Sequence, residues 1–168
     1  MPDPISLMQE VIARKSNAPK WIDAPLGSIK TLSNTHIGDI GQDFLEEWCR
    51  FIGFSWERSA NRQYPWDAKI EGITFEIKTA TEDISENFQF NHIRHHRQYQ
   101  ALFCLGIAPD EILFDAWRKG DVSEGRAGNL VTMDKGSSAT FKLTKSRKIL
   151  HPLSKFECRI SNLLSALE

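Results

Sequence analysis

Residues 64–78 read YPWDAKIEGITFEIK. Two arms flank Glu71-Gly72. Trp66, Ala68 and Ile70 alternate with Asp67 and Lys69 on the first arm. Ile73, Phe75 and Ile77 alternate with Thr74, Glu76 and Lys78 on the second. Period-two alternation marks a half-buried strand, and X-Gly between two such runs fits a two-residue hairpin. In that register Ile70 faces Ile73, Ala68 faces Phe75 and Trp66 faces Ile77 on an apolar face. On the other face Lys69 meets Thr74 and Asp67 meets Glu76, with Lys78 two residues beyond. Like charges directly opposite on neighbouring strands destabilise a sheet. The acid pair therefore calls for a cation or a wet surface, and one residue more or less in the turn would move it apart.

Outward from the hairpin, the 168 residues are enough for one domain with a real core, and the expectation is a single domain over 1–168. An apolar fraction of 40% and a charged fraction of 26% are those of a globular protein. There is no apolar run of membrane-spanning length and no secretory pattern in MPDPISLMQE, so a cytoplasmic location is expected. Cys49, Cys104 and Cys158 are scattered, which indicates neither a disulfide framework nor a cysteine zinc site. A net charge of −1 is evidence against a general electrostatic coat for nucleic acid. The charge is uneven, however. Residues 87–109 hold no acid but contain Arg94 and Arg97, and Lys142, Lys145, Arg147 and Lys148 cluster later. Patches beside an acidic site suit a polyanion held next to bound cations; ordinary solvated faces fit the same pattern.

Asp3-Pro4 predicts a helix start, with the helix reaching Lys15. Residues 16–34 read as loop. A second helix follows from about Thr35 to Gly53, on the spacing of Ile37, Ile40, Phe44, Leu45, Trp48, Phe51 and Ile52. Strands are predicted at 54–58, 66–70, 73–79, 101–107, 111–117 and 139–144, with a further short one near Leu130. Asn91 to Gln98 reads as a short helix. A terminal amphipathic helix has Ser154 and Glu157 as a capping box. The class is α/β, a central mixed β-sheet flanked by helices.

Asp67 and Glu76 on neighbouring strands can hold a hard divalent cation, as Mg²⁺ is held by one or two carboxylates with substrate phosphates. Such a cation makes water a better nucleophile and stabilises charge on a phosphate oxygen. Lys78 is placed to orient the water and offset transition-state charge. Pro65-Trp66-Asp67 followed across the hairpin by Glu76-Ile77-Lys78 resembles the PD-(D/E)xK nuclease motif, and GDIGQDFLEEWCRFIGF (38–54) resembles the helix that precedes it. Gln42, four residues after Gly38, stands where that superfamily usually has an acid; Glu46, one turn later, is the alternative.

The resemblance is to short type II restriction endonucleases of the Pvu type, and it covers residues 36–107. It implies a restriction-endonuclease-like core, a Mg²⁺ cofactor with Mn²⁺ able to substitute, double-stranded DNA as substrate and a homodimer. A cognate DNA methyltransferase acting on the same site is a possible companion. It also implies that FQFNHIRHHRQYQALF (88–103) contacts DNA, through Gln89, Asn91, His92, Arg94, His95 and Arg97. Asn or Gln suits adenine and Arg suits guanine. Three other readings stay open: a structure-specific nuclease, a catalytically silent DNA-binding protein of the same fold, and RNA as substrate. His92, His95 and His96 at i, i+3, i+4 are also a zinc pattern, though without a fourth ligand nearby. The wet face of an edge hairpin is the plainer reading of Asp67, Glu76 and Lys78, and the facing acid pair weighs against it.

Overall fold

The computed structural model describes residues 3–15 and 18–167. Its helices are α1 (Pro4–Lys15), α2 (Ala18–Trp21), α3 (Asn34–Ile52), α4 (Lys119–Ser123) and α5 (Phe156–Ser165). Its strands are β1 (Trp56–Arg58), β2 (Ala68–Ile70), β3 (Ile73–Thr81), β4 (Asn87–Ile93), β5 (Ala101–Ile107), β6 (Ile112–Arg118), β7 (Leu130–Thr132), β8 (Phe141–Ser146) and β9 (His151–Pro152). Six strands form a mixed sheet in the order β1-β2-β3-β5-β6-β9, parallel only between β3 and β5; a second sheet runs β4-β8-β7. A central mixed sheet flanked by helices is thus the architecture. No described helix is long and apolar enough to cross a membrane.

The hairpin register is the expected one: Ala68 pairs with Phe75, Lys69 with Thr74 and Ile70 with Ile73. Glu71 and Gly72 both have positive φ, 51° and 81°, the pattern of a type I′ turn, and glycine supplies the second position without strain. The ladder stops at Ala68, so Trp66 does not pair with Ile77. Its ring packs edge-on against Tyr64 instead.

α3 begins at Ser33, whose hydroxyl accepts the N–H of His36, and ends at Gly53 in the left-handed conformation. Ile37, Gly41, Leu45 and Cys49, spaced by four, form its buried stripe. Gly41 is needed there: a Cβ would lie 1.9 Å from Thr79 Oγ1. On this side of the main sheet Leu45 and Cys49 meet Phe75, Ile77, Phe103, Phe114, Phe156 and Ile160. Each such buried large side chain contributes about 1.5–3 kcal/mol.

Opposite, Phe88, Phe90, Ile93 and Leu143 of the second sheet cover Ala80, Leu102, Cys104 and Trp117. Gly106 leaves room for Phe88, whose ring would sit 3.0 Å from an added Cβ. The molecule is therefore layered as helices, six-stranded sheet and three-stranded sheet. Glu76 and Lys78 share the parity of Ala80 and lie under the second sheet rather than on a wet face.

Several expectations change. Residues 91–98 are not a helix: Asn87–Ile93 is a strand, because Phe88 and Phe90 alternate with Gln89 and Asn91 and bury against β5 and β8. The three histidines therefore share no helix face. Among the described residues no group of three or more His, Cys, Asp or Glu gathers as a metal cluster. The predicted loop at 16–34 contains two helical turns, Ala18–Trp21 and Gly27–Thr31, which bury Trp21 and Ile29; residues 16 and 17 lie outside the described ones. The capping box at Ser154 is not formed, since a 3-10 turn, Leu153–Lys155, occupies the start of α5. Beside the short strand predicted near Leu130, which is β7, the chain after β6 also forms α4.

Candidate active site

β2 begins only at Ala68, opposite Phe75, while β3 continues to Thr81 and pairs from Phe75 onward with β5. The other edge of β3 beyond Phe75 therefore faces a cleft of about 840 Å³. α3 supplies Gly38, Asp39 and Gln42 to its wall, β3 supplies Lys78 and its neighbours, and β4 with the turn after it supplies Gln89, Asn91, His92 and Arg94. Asp67 stands just before β2 begins. A short strand next to a long one is thus what opens the site.

Asp67 Oδ2 accepts the N–H of Ile77 at 2.8 Å, so its carboxylate does the work of the missing strand residue. Its Oδ1 accepts from Arg94 Nη2 at 2.9 Å, and Arg94 Nε donates to Glu76 Oε1 at 2.9 Å. Lys78 Nζ lies 2.9 Å from the same Glu76 oxygen. The two acids thus stand together, as the register predicted, and one guanidinium and one ammonium compensate them. Glu76 is 0% exposed, and its Oε2 is buried without a hydrogen-bond partner. Burial, then the Glu76 charge, pushes the Asp67 pKa above the usual carboxylate value, against the Ile77 N–H, Lys78 and Arg94. Burial disfavours the Arg94 charge, yet Glu76 and Asp67 hold its pKa above the ordinary guanidinium value.

Gln42 lines the cleft, whereas Glu46 is not among its lining residues. Glu46 instead pairs with Arg50 at 2.6 Å and with Arg58 at 3.4 Å. Gln89, Asn91 and His92 border the cleft on exposed positions. His92 has φ 57° where the β4–β8 register shifts, and its ring nitrogen Nδ1 lies 3.2 Å from Thr140 Oγ1. His95 is turned away from the cleft: its Nε2 lies 2.6 Å from Ser123 Oγ, and its ring meets Phe141 edge-on. Arg97 braces the loop before Asp67, donating to the carbonyls of Gln63 and Tyr64.

The late basic cluster is largely structural. Arg147 bonds Glu82, Asp110 and Glu111, and Lys145 donates to the carbonyl of Ala127 and covers Trp117. The cleft cations Lys30, Arg58 and Arg62 escaped sequence reasoning, since only the fold brings them beside Lys78. Arg94 was expected to contact DNA, not to bridge the two acids. A facing acid pair whose only cations on the hairpin are Lys69 and Lys78 was the available signal.

No family model matches this chain, and no curated protein does. A solved structure of a bacterial homing endonuclease, I-Ssp6803I, aligns with 81% of this chain and 97% of that one, at 14% sequence identity and a TM-score of 0.49.

Proposed function

We propose that the chain is a Mg²⁺-dependent DNA endonuclease of the PD-(D/E)xK type, and specifically a type II restriction-like enzyme that cuts a defined duplex sequence. The observation that carries this reading is the convergence of Asp67, Glu76 and Lys78: Asp67 and Lys78 line an open cleft along the edge of β3, and Glu76 is fully buried beside Lys78. Both carboxylates approach the same guanidinium, and the second oxygen of Glu76 is buried and unpartnered, so the pair fits a sparse two-carboxylate cation site. Asp67 and Glu76 would hold the cation, with Gln42 contributing from α3.

When bound, a divalent cation there activates water and offsets charge on a phosphate oxygen. The residues do the rest. Ile77 fixes the Asp67 carboxylate through its N–H. Lys78, half-buried beside Glu76, donates to an attacking water and offsets the charge that develops at phosphorus. Lys30, Arg58 and Arg62 attract the phosphodiester backbone into the cleft. Gln89, Asn91 and His92 stand at the cleft border, where amide and imidazole groups can meet base edges. Recognition of a two-fold site would use a homodimer.

A second reading, a silent DNA-binding protein of the same fold, draws on the Arg94 bridge, which compensates both acids without any metal. Digestion of a long duplex DNA with Mg²⁺, beside EDTA and Lys78→Ala controls, separates the two. Discrete bands lost in both controls support the restriction-like enzyme. A smear lost in both keeps the nuclease and removes sequence specificity. Intact unmodified, modified and branched DNA leaves the silent reading.

A further inference from the structure

We infer that Arg94 is a built-in counter-cation: it bridges Asp67 and Glu76, the acids that would hold a divalent cation, so metal and Arg94 would exclude one another there. The inference rests on the metal-site reading of these two acids and adds a gate to it.

The geometry is specific. Nε of Arg94 donates to Glu76 Oε1 and Nη2 donates to Asp67 Oδ1, both at 2.9 Å, so the planar fork spans the two side chains. Glu76 is fully buried and Asp67 and Arg94 are each less than a fifth exposed, so the bridge is shielded from solvent. A cation drawing one oxygen from each acid would meet the positive guanidinium at contact distance. Lys78 already shares Glu76 Oε1 with Arg94, so a divalent cation drawing on those oxygens would bring a third positive group into a dry place, at the cost of strong repulsion.

Arg94 itself lies just outside the paired strand β4. It follows the last residue of β4, just after the register shift between Phe90 and Ile93, where His92 takes φ 57°. Its third contact, Nη1 to the Arg62 carbonyl, is longer at 3.2 Å and belongs to the exposed loop before Asp67. The side chain borders the cleft, so a phosphate there offers the displaced fork a bidentate partner. Metal loading and substrate engagement are then coupled through one arginine.

The test compares wild-type protein with Arg94→Gln, both free of DNA. Mn²⁺ affinity is read by electron paramagnetic resonance, and the Arg94 Nε–H signal of the wild type is followed by ¹⁵N NMR during Mg²⁺ titration. The expected result is Mn²⁺ binding about tenfold or more tighter in Arg94→Gln, since two charge-assisted hydrogen bonds no longer compete. In the wild type the Arg94 Nε–H signal should move as Mg²⁺ saturates. Equal Mn²⁺ affinities, or an Arg94 signal unchanged at saturation, overturn the gate while leaving the metal site standing. No binding to either chain overturns the metal reading and the gate with it. If the variant fails to fold, the wild-type titration alone decides.

Discussion

Asp67 Oδ2 accepts the backbone N–H of Ile77 at 2.8 Å, just before β2 begins and beyond the reach of its ladder. One carboxylate oxygen thus completes the sheet while the other meets Arg94. Structure and chemistry at this residue can be separated by substitution. Asp67→Ala leaves a part-buried N–H without its acceptor and should lower stability by about 1–3 kcal/mol. Asp67→Asn keeps an acceptor for Ile77 and should lose less. Both should bind Mn²⁺ at least about tenfold more weakly, because the site loses one of its two charges. Urea midpoints and Mn²⁺ titration check the pair of effects; equal metal affinity in Asp67→Asn would remove Asp67 from the site.

The helix that presents Gln42 is seated by a contact without slack. A Cβ on Gly41 would lie 1.9 Å from Thr79 Oγ1 and under 3 Å from two further Thr79 side-chain atoms, so α3 must shift to admit it. Gly41→Ala should cost about 1–3 kcal/mol, the usual range for overpacking. Gly38→Ala is the internal control: nothing lies within 4 Å, and alanine should gain up to ~1 kcal/mol from helix propensity. Thermal denaturation of both variants reads the contrast, and equal effects would mean that α3 does not press on β3 at Thr79.

Local pattern made the hairpin and α3 legible. The alternation from Trp66 to Lys78 set the register, and the spacing from Ile37 to Ile52 with Gly53 set the helix. The strand at 87–93 is carried by the alternation of Phe88 and Phe90 with Gln89 and Asn91, which covers only four residues before the register shift. The strand that pairs with them, Phe141–Ser146, is distant in sequence. Arg94 was hidden for the same reason: it lies 18 residues from Glu76 and 27 from Asp67 and arrives after the last residue of a second sheet. A local pattern carries the position of an acid pair, but not of the cation that folding delivers to it.

His95 supplies a pH test of that second layer. Burial, then the Lys119 charge, holds its pKa below the ordinary imidazole value, and its Nδ1 is buried without a partner. A depressed folded pKa means that the unfolded chain binds the proton more readily. The stability contributed by neutral His95 is therefore fully present above about 6.5 and is lost as pH falls through the folded value. The stability difference between wild type and His95→Gln should shrink as pH falls across that window. Urea denaturation at several pH values checks it; a difference independent of pH would show that His95 titrates as it does in the unfolded chain.

Gln42 and Glu46, one turn apart on α3, divide between cleft and surface. Gln42 borders the cleft, and Glu46 is engaged by Arg50 and Arg58. If the acids at β2 and β3 hold the cation, a third charge helps only from a position that reaches them, and more ligand charge tightens such sites. Gln42→Glu should therefore strengthen Mn²⁺ binding by about tenfold, the effect of roughly 1.4 kcal/mol. Glu46→Gln should leave Mn²⁺ affinity unchanged, because it removes only surface pairs worth less than about 1 kcal/mol. The two variants, titrated side by side, place the helix contribution. Weaker binding in Glu46→Gln with no gain in Gln42→Glu would assign it to Glu46, and would require Glu46 to leave its arginines when the cation binds.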